Sequence, residues 1–155
     1  MTFNEIEDQM IGGWTGENLL RLSWLTPSDF RSDSMLTATR AVGDKFLMID
    51  YTWNHEDAAH AGLLLIGFDK EREIVNATWA DSWHSSVKPL ALAGKINEQG
   101  VIDLHGSFEV PNSADWLWRI VVTPATETLQ IVMYNGSPEG VEDLAVQAEY
   151  RRYVN

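Results

Sequence analysis

Cysteine is absent from the 155 residues, which excludes disulfides, thiolate metal sites and a Cys nucleophile together. Cations are scarce: 11 Lys and Arg stand against 23 Asp and Glu, a net charge of -12. Binding nucleic acid or an anionic membrane requires a concentrated basic surface that displaces counterions. This chain lacks the material for one, so neither partner is expected. Long hydrophobic runs are missing too. The longest, from Ala61 to Phe68, holds two glycines and falls far short of the ~20 residues of a membrane helix. The opening stretch from Met1 to Met10 is acidic, with no Lys or Arg ahead of an apolar segment. That is unlike a secretory leader, and a soluble, cytoplasmic protein is expected. No Pro/Gly/Ser-rich linker, heptad or internal repeat divides the chain, whose length suits one domain, 1–155, with one core.

What the chain does have is aromatic weight, including seven tryptophans, set in a pattern of short alternating segments. Only the first dozen residues read as helix. Thr2 and Glu5 form a capping box, Phe3, Ile6 and Met10 share a face, and Gly12-Gly13 makes the stop. From Trp14 the period changes to two. Trp14, Gly16, Asn18, Leu20, Leu22 and Trp24 fall on one face of a first strand. Further strands are expected over 34–42, 45–53, 60–68, 74–84, 88–96, 101–110, 116–123, 128–134 and 143–153. Gly43-Asp44 is expected to make a two-residue hairpin between the second and third. Ten close-spaced strands without a crossover helix imply an antiparallel meander. Closing it into an up-and-down barrel removes the exposed edges.

A short helix running into Gly12-Gly13-Trp14 at the head of such a meander resembles the Gly-x-Trp opening of the calycin superfamily: lipocalins, fatty-acid-binding proteins and avidins. The resemblance implies that Trp14 closes one end of the barrel, with Arg151 or Arg152 packed over its ring by a cation–π contact. Gly67-Phe68-Asp69, Trp79-Ala80-Asp81-Ser82, Arg119 and the ending Ala148-Glu149-Tyr150-Arg151-Arg152 add to it. In that order they are similar to a bacterial family of lipocalin-like barrel domains with no assigned activity. That pattern has Gly-Tyr-Asp, Trp-x-Asp-Ser, a mid-barrel Arg and a Tyr-x-Arg-type end. Phe68 departs from it and lacks the tyrosine hydroxyl. The likeness runs from Gly12 to Arg152 and implies a fold more than a function.

A barrel of this size either encloses one small ligand or fills with side chains. Trp79, Asp81 and Trp83 share one face of their strand, with Ser82 and His84 on the other. Facing inward, they would set a carboxylate between indoles, a lining for a mostly apolar ligand with one polar handle. Alternatively the tryptophans fill the barrel and Asp81 bonds a neighbouring backbone or an Arg. Arg119 lies in an apolar strand between Trp118 and Ile120. Buried, its guanidinium needs a partner, from Asp81, Glu149 or a ligand carboxylate. The fatty-acid-binding branch holds an anionic head group with such an Arg; on the outer face it would be an ordinary surface cation. Tyr51, Trp53, Tyr134 and Trp24 are further lining or core candidates. The expected lining is therefore Trp24, Tyr51, Trp53, Trp79, Asp81, His105, Arg119 and Tyr134.

None of His55, His60, His84 and His105 has zinc-site spacing, and neither metal nor cofactor is expected. Asp103, His105 and Ser107 share one face of a strand, where adjacency does not give hydrolase geometry. A heme-binding branch of the superfamily uses a His near the final strands, and none follows His105. The expected function is binding of a small hydrophobic or amphipathic molecule, anionic ones included. The alternatives are an isomerase or decarboxylase using Asp81, His105 and Arg119, and a filled barrel displaying Trp116 as a protein contact. A homodimer is compatible with any of these.

Overall fold

The computed structural model describes residues 2–85 and 87–153. Thr2 caps α1 (Phe3–Met10). Its hydroxyl accepts from the Glu5 amide at 3.2 Å and its own amide donates to the Glu5 carboxylate at 2.6 Å, so both orphan donors are satisfied. The helix ends sooner than the glycine pair implies. Ile11 leaves helical geometry with ψ 131, and Gly12, at φ 129, turns the chain into the barrel in a conformation that favours glycine.

Ten strands follow: β1 (Gly12–Arg21), β2 (Asp29–Ala41), β3 (Phe46–His55), β4 (Ala58–Asp69), β5 (Ile74–Asp81), β6 (Leu90–Ile96), β7 (Ile102–Phe108), β8 (Trp116–Pro124), β9 (Thr128–Gly136) and β10 (Glu142–Arg152). Each pairs antiparallel with its sequence neighbours, and β1 pairs with β10, closing the barrel. The antiparallel ten-strand barrel with its short helix is the architecture that the alternation implies. Two hairpins differ from expectation. The β2–β3 turn spans four residues, Val42 to Lys45, because Ala41 and Phe46 form the last pair. The tight two-residue turn is instead Glu56-Asp57, between paired His55 and Ala58, with both φ positive at 49 and 61. Strand twist demands that geometry, and here it is met without glycine.

Alternation sends Trp14, Leu36, Leu47, Ile49, Leu64, Ile66, Ile102 and Leu104 into a core with essentially no solvent exposure. The helix covers the adjacent barrel end. Phe3 stacks on Phe68 at 5.0 Å, and Arg40 pairs with Asp8 at 2.7 Å. Of the two candidate arginines, Arg152 lies over the Trp14 ring, 4.4 Å from its centroid. It donates to the Ile11 carbonyl at 3.0 Å and also to Gln9 and Thr126 carbonyls. Trp14 Nε1 donates to Met10 O at 2.8 Å. One guanidinium and one indole thus satisfy the carbonyls at the helix end. Arg151 faces solvent and takes no part in this closure.

Candidate functional site

Away from the helix the interior becomes aromatic and polar. Tyr51 and Trp53 on β3 and Trp79 and Asp81 on β5 all point inward and are buried. The Tyr51 hydroxyl donates to Asp81 Oδ2 at 2.7 Å and accepts from Trp79 Nε1 at 2.9 Å. Trp53 Nε1 donates to the same Oδ2 at 3.2 Å. Burial, with the Asp81 carboxylate beside it, pushes the Tyr51 phenol well above its ordinary value, so the hydroxyl stays protonated and remains a donor. Space for the Tyr51 ring comes from Gly62, its cross-strand partner on β4. A Cβ there would lie 2.0 Å from Tyr51 Cζ.

The other oxygen of Asp81 has a different task. β5 ends at Asp81, not at His84, and the chain coils into a helical turn in which the Ser85 amide donates to Asp81 O at 3.0 Å. Asp81 Oδ1 accepts from the amides of Trp83 and His84 at 2.9 and 3.1 Å, as an N-cap does. Ser85 Oγ accepts from the Asp81 amide at 2.7 Å. With four donors the carboxylate is saturated by the protein itself, which is the second of the two roles considered for Asp81.

The turn also reverses the parity expected beyond Asp81. His84 swings inward while Trp83 is partly exposed, at 37%. The imidazole stacks on Trp53 at 5.7 Å and packs against Trp79 and Trp118 at 5.7 and 5.4 Å. Trp79 and Trp118 are themselves parallel to within 11° at 5.0 Å. Trp79, His84 and Trp118 form one wall of a cavity of about 610 Å³, completed by Leu90 and Phe108, with the exposed Lys88, Glu109 and Asp115 also lining it. That volume lies within the range of small-molecule sites. Two polar atoms of these residues, His84 Nε2 and Trp118 Nε1, are enclosed by the protein, with almost no accessible surface, and have no hydrogen-bond partner among the described residues. Asn135, opposite Trp118 on β9, has an unpartnered Oδ1 as well. A buried unmet donor or acceptor costs about 1–3 kcal/mol. Sequence reading missed His84; its signal was Asp81-Ser82-x-x-Ser85, a capping pattern where a strand was drawn.

Desolvation depresses the His84 pKa to about 4, against the opposing pull of the Asp81 charge, so the ring is neutral at neutral pH. A base with a folded pKa of about 4 and an unfolded value near 6.5 leaves the unfolded chain binding more protons between those limits. Its stabilising effect is complete above about pH 6.5 and is lost as the pH falls toward about 4, by about 1.4 kcal/mol per unit within the window. Urea melts of wild type and His84→Leu between about pH 7 and 5 measure this. Wild type is expected to lose about 2 kcal/mol more than the variant by about pH 5; parallel losses would contradict a half-buried imidazole held neutral.

The remaining expected lining residues lie elsewhere. Trp24 is 74% exposed because β1 stops at Arg21, where Arg21 clamps Asp29 through two bonds of 2.7 and 2.9 Å. Alternation has no force in the loop beyond. Arg119 is on the outer face of β8. Its guanidinium donates to both oxygens of Asp103 at 2.8 and 3.0 Å and to Glu142 at 3.2 Å. It also covers the Tyr134 ring at 5.3 Å, so Tyr134 is outside as well. Exposed His105 sits 3.1 Å from Asp103. The barrel wall therefore separates Asp81 from His105 and Arg119, and an acid/base cluster of the three is not formed. Trp118 is buried, and Trp116 shares its inward parity, so the outward display of tryptophan on this strand does not occur.

No curated protein matches the chain. Several solved structures share the fold, two of them over nearly the whole chain. Rv2717c from M. tuberculosis aligns with a TM-score of 0.68 at 13% identity, covering 97% of this chain and 96% of that one. The S-type phycobiliprotein lyase CPES from Guillardia theta aligns with a TM-score of 0.61 at 14% identity, covering 100% and 94%. At such identities the likeness is one of fold. Residues 5–152 match the family described as Protein of unknown function (DUF1579), and since that is nearly the whole barrel, the chain belongs to this family.

Proposed function

We propose that the barrel binds a small molecule in the cavity between the β5–β6 and β7–β8 connections. The observation that supports this reading is a cavity of about 610 Å³ walled by Trp79, His84, Leu90, Phe108 and Trp118, a volume and an aromatic lining suited to a small molecule. The aromatic cage beside it is held rigid from within: the Tyr51 hydroxyl and the Trp53 and Trp79 indoles all have partners in the protein. The phycobiliprotein lyase of the same fold supports a ligand-handling role in outline only.

The uncharged fluorophore N-phenyl-1-naphthylamine tests the reading. Its emission is expected to rise and saturate at one equivalent. Leu90→Trp, which fills the cavity from β6 opposite Trp79, should weaken it at least about tenfold, as loss of apolar contact area implies. Equal affinity in Leu90→Trp would put the probe elsewhere, and absence of saturable binding would end the proposal.

A further inference from the structure

The helix-covered end of the barrel holds a cavity of its own, of about 620 Å³. Residues of the first turn of α1, of the end of β4 with the β4–β5 turn, and of the end of β6 with the β6–β7 turn surround it. We infer that this cavity is a second binding site, for a small organic anion with an apolar body, separate from the site proposed above.

Cations are scarce in this chain, 11 against 23 carboxylates, yet three of them, Lys70, Arg72 and Lys95, line this one cavity. Glu73 and Glu98 line it too, so three cations against two carboxylates leave the lining positive by one in a chain of net charge -12. The cavity at the open end has the reverse balance, Lys88 against Glu109 and Asp115. Among the described residues, neither Glu73 nor Glu98 forms an ion pair with any of the three cations. Arg72 has a partner, Asp69, at a distant 3.9 Å. The other oxygen of that carboxylate serves its own turn, accepting from the amides of Glu71 and Arg72, both at 3.1 Å. Two ammoniums and most of a guanidinium are thus left to meet an outside anion. One exposed cation contributes little to holding an ion, but three around one concavity focus their field on what enters it.

The floor supplies apolar contact. Phe3 and Phe68 stack at 5.0 Å, and both line the cavity with Ile96. Phe68 and Ile96 stay partly exposed, which leaves ring and methyl surface for a ligand body. Gly67-Phe68-Asp69 has no part in the aromatic cage around Asp81. Its place is here, with Phe68 in the floor and Asp69 shaping the turn that carries Lys70 and Arg72. An inorganic anion would leave the floor unused and a neutral apolar molecule would leave the cations unused. A molecule with an anionic head and an apolar body meets both.

The probe is 8-anilinonaphthalene-1-sulfonate, the sulfonated relative of N-phenyl-1-naphthylamine. It is titrated by calorimetry into the whole chain carrying Leu90→Trp, which fills the other cavity, and saturation at one equivalent is expected. Adding Lys70→Gln, Arg72→Gln and Lys95→Gln should weaken binding at least about tenfold. A control with the same loss of charge at remote positions, Arg31→Gln, Lys88→Gln and Arg151→Gln, should stay within about twofold. All six side chains are exposed, so both triple variants are expected to fold, which their melting curves check. On the chain with its cations intact, an equal concentration of 2-naphthylmethylammonium should fail to displace the sulfonate. Displacement by that cation, equal losses in the two triple variants, or no saturable binding in the Leu90→Trp chain would each overturn the inference. None of these outcomes touches N-phenyl-1-naphthylamine binding at the open end, so the two proposals stand or fall separately.

Discussion

Asp81→Ala is expected to lower stability by about 4 kcal/mol, a large fraction of a domain's usual margin of about 5–15 kcal/mol. Truncation leaves the Tyr51 hydroxyl, the Trp53 indole N–H and the amides of Trp83 and His84 without their acceptor. Lost alone, an N-cap costs about 1 kcal/mol and a buried orphan about 1–3 kcal/mol. These losses share one residue and relax together, so they sum to less than their parts. For a chain of this length about 4 kcal/mol corresponds to a fall in Tm of about 10 °C. Asp81→Asn keeps the shape and one acceptor but turns an NH2 toward one pair of donors, and about half the loss is expected. Because Asp81 holds the turn that carries His84, the alanine variant should also lose N-phenyl-1-naphthylamine binding at temperatures where it is still folded. A loss under about 1 kcal/mol in urea melts would show that the carboxylate is not the keystone of this end of the barrel.

The sequence made the barrel legible because alternation holds through most of each strand, and the elements lie in chain order with nothing long between them. Tyr51, Trp53, Trp79 and Asp81 meet inside because each sits in a strand whose apolar face is unambiguous, such as Leu47, Ile49, Tyr51 and Trp53 along β3. Legibility stopped where strands stopped. Trp24 follows the inward parity of Trp14 and Leu20 but lies beyond Arg21, and His84 follows an outward parity but lies beyond Asp81. One residue of error in where a strand ends inverts a side chain's address. β8 was ambiguous in a second way, since Leu117, Arg119 and Val121 look nearly as apolar as Trp118, Ile120 and Val122. What decides is on other strands: Asp103 on the adjacent β7 and Glu142 on β10, one strand further than β9, are partners for Arg119 on the outer face, a pairing visible only after register is known. The Glu56-Asp57 turn was missed because it uses two acidic residues at positive φ, where Gly or Asn is the usual signal.

Gly62→Ala is expected to cost about 3 kcal/mol, against the ordinary sign of such a change in a strand. Gly at an interior strand position with unremarkable backbone angles is weak, and alanine there usually gains a few tenths to about 1 kcal/mol. Gly13→Ala illustrates the ordinary case: its nearest neighbour would be Tyr153 Cβ at 3.7 Å, and no loss is expected. At Gly62 the new methyl would sit 2.0 Å from Tyr51 Cζ and 2.2 Å from its hydroxyl oxygen. The phenol cannot simply turn aside, because its oxygen is held by Asp81 and Trp79 inside a close-packed cage. Relief requires breaking both hydrogen bonds and displacing an aromatic ring, which combines overpacking with lost polar partners. The test is a double-mutant cycle with Tyr51→Ala, which removes the obstructing ring. Tyr51→Ala alone should cost about 3–4 kcal/mol, and adding Gly62→Ala to it should cost almost nothing, a coupling of about 3 kcal/mol. Simple additivity in chemical denaturation would mean that Gly62 is kept for a reason other than the ring above it. The same cycle reports on the cavity, since Tyr51 anchors the indole of Trp79 and with it the stacked Trp118. If the ring is displaced in Gly62→Ala, N-phenyl-1-naphthylamine affinity should fall there and not be restored in the double variant, which regains stability relative to the sum of its parts but not the Trp79–Tyr51–Asp81 chain that shapes the wall.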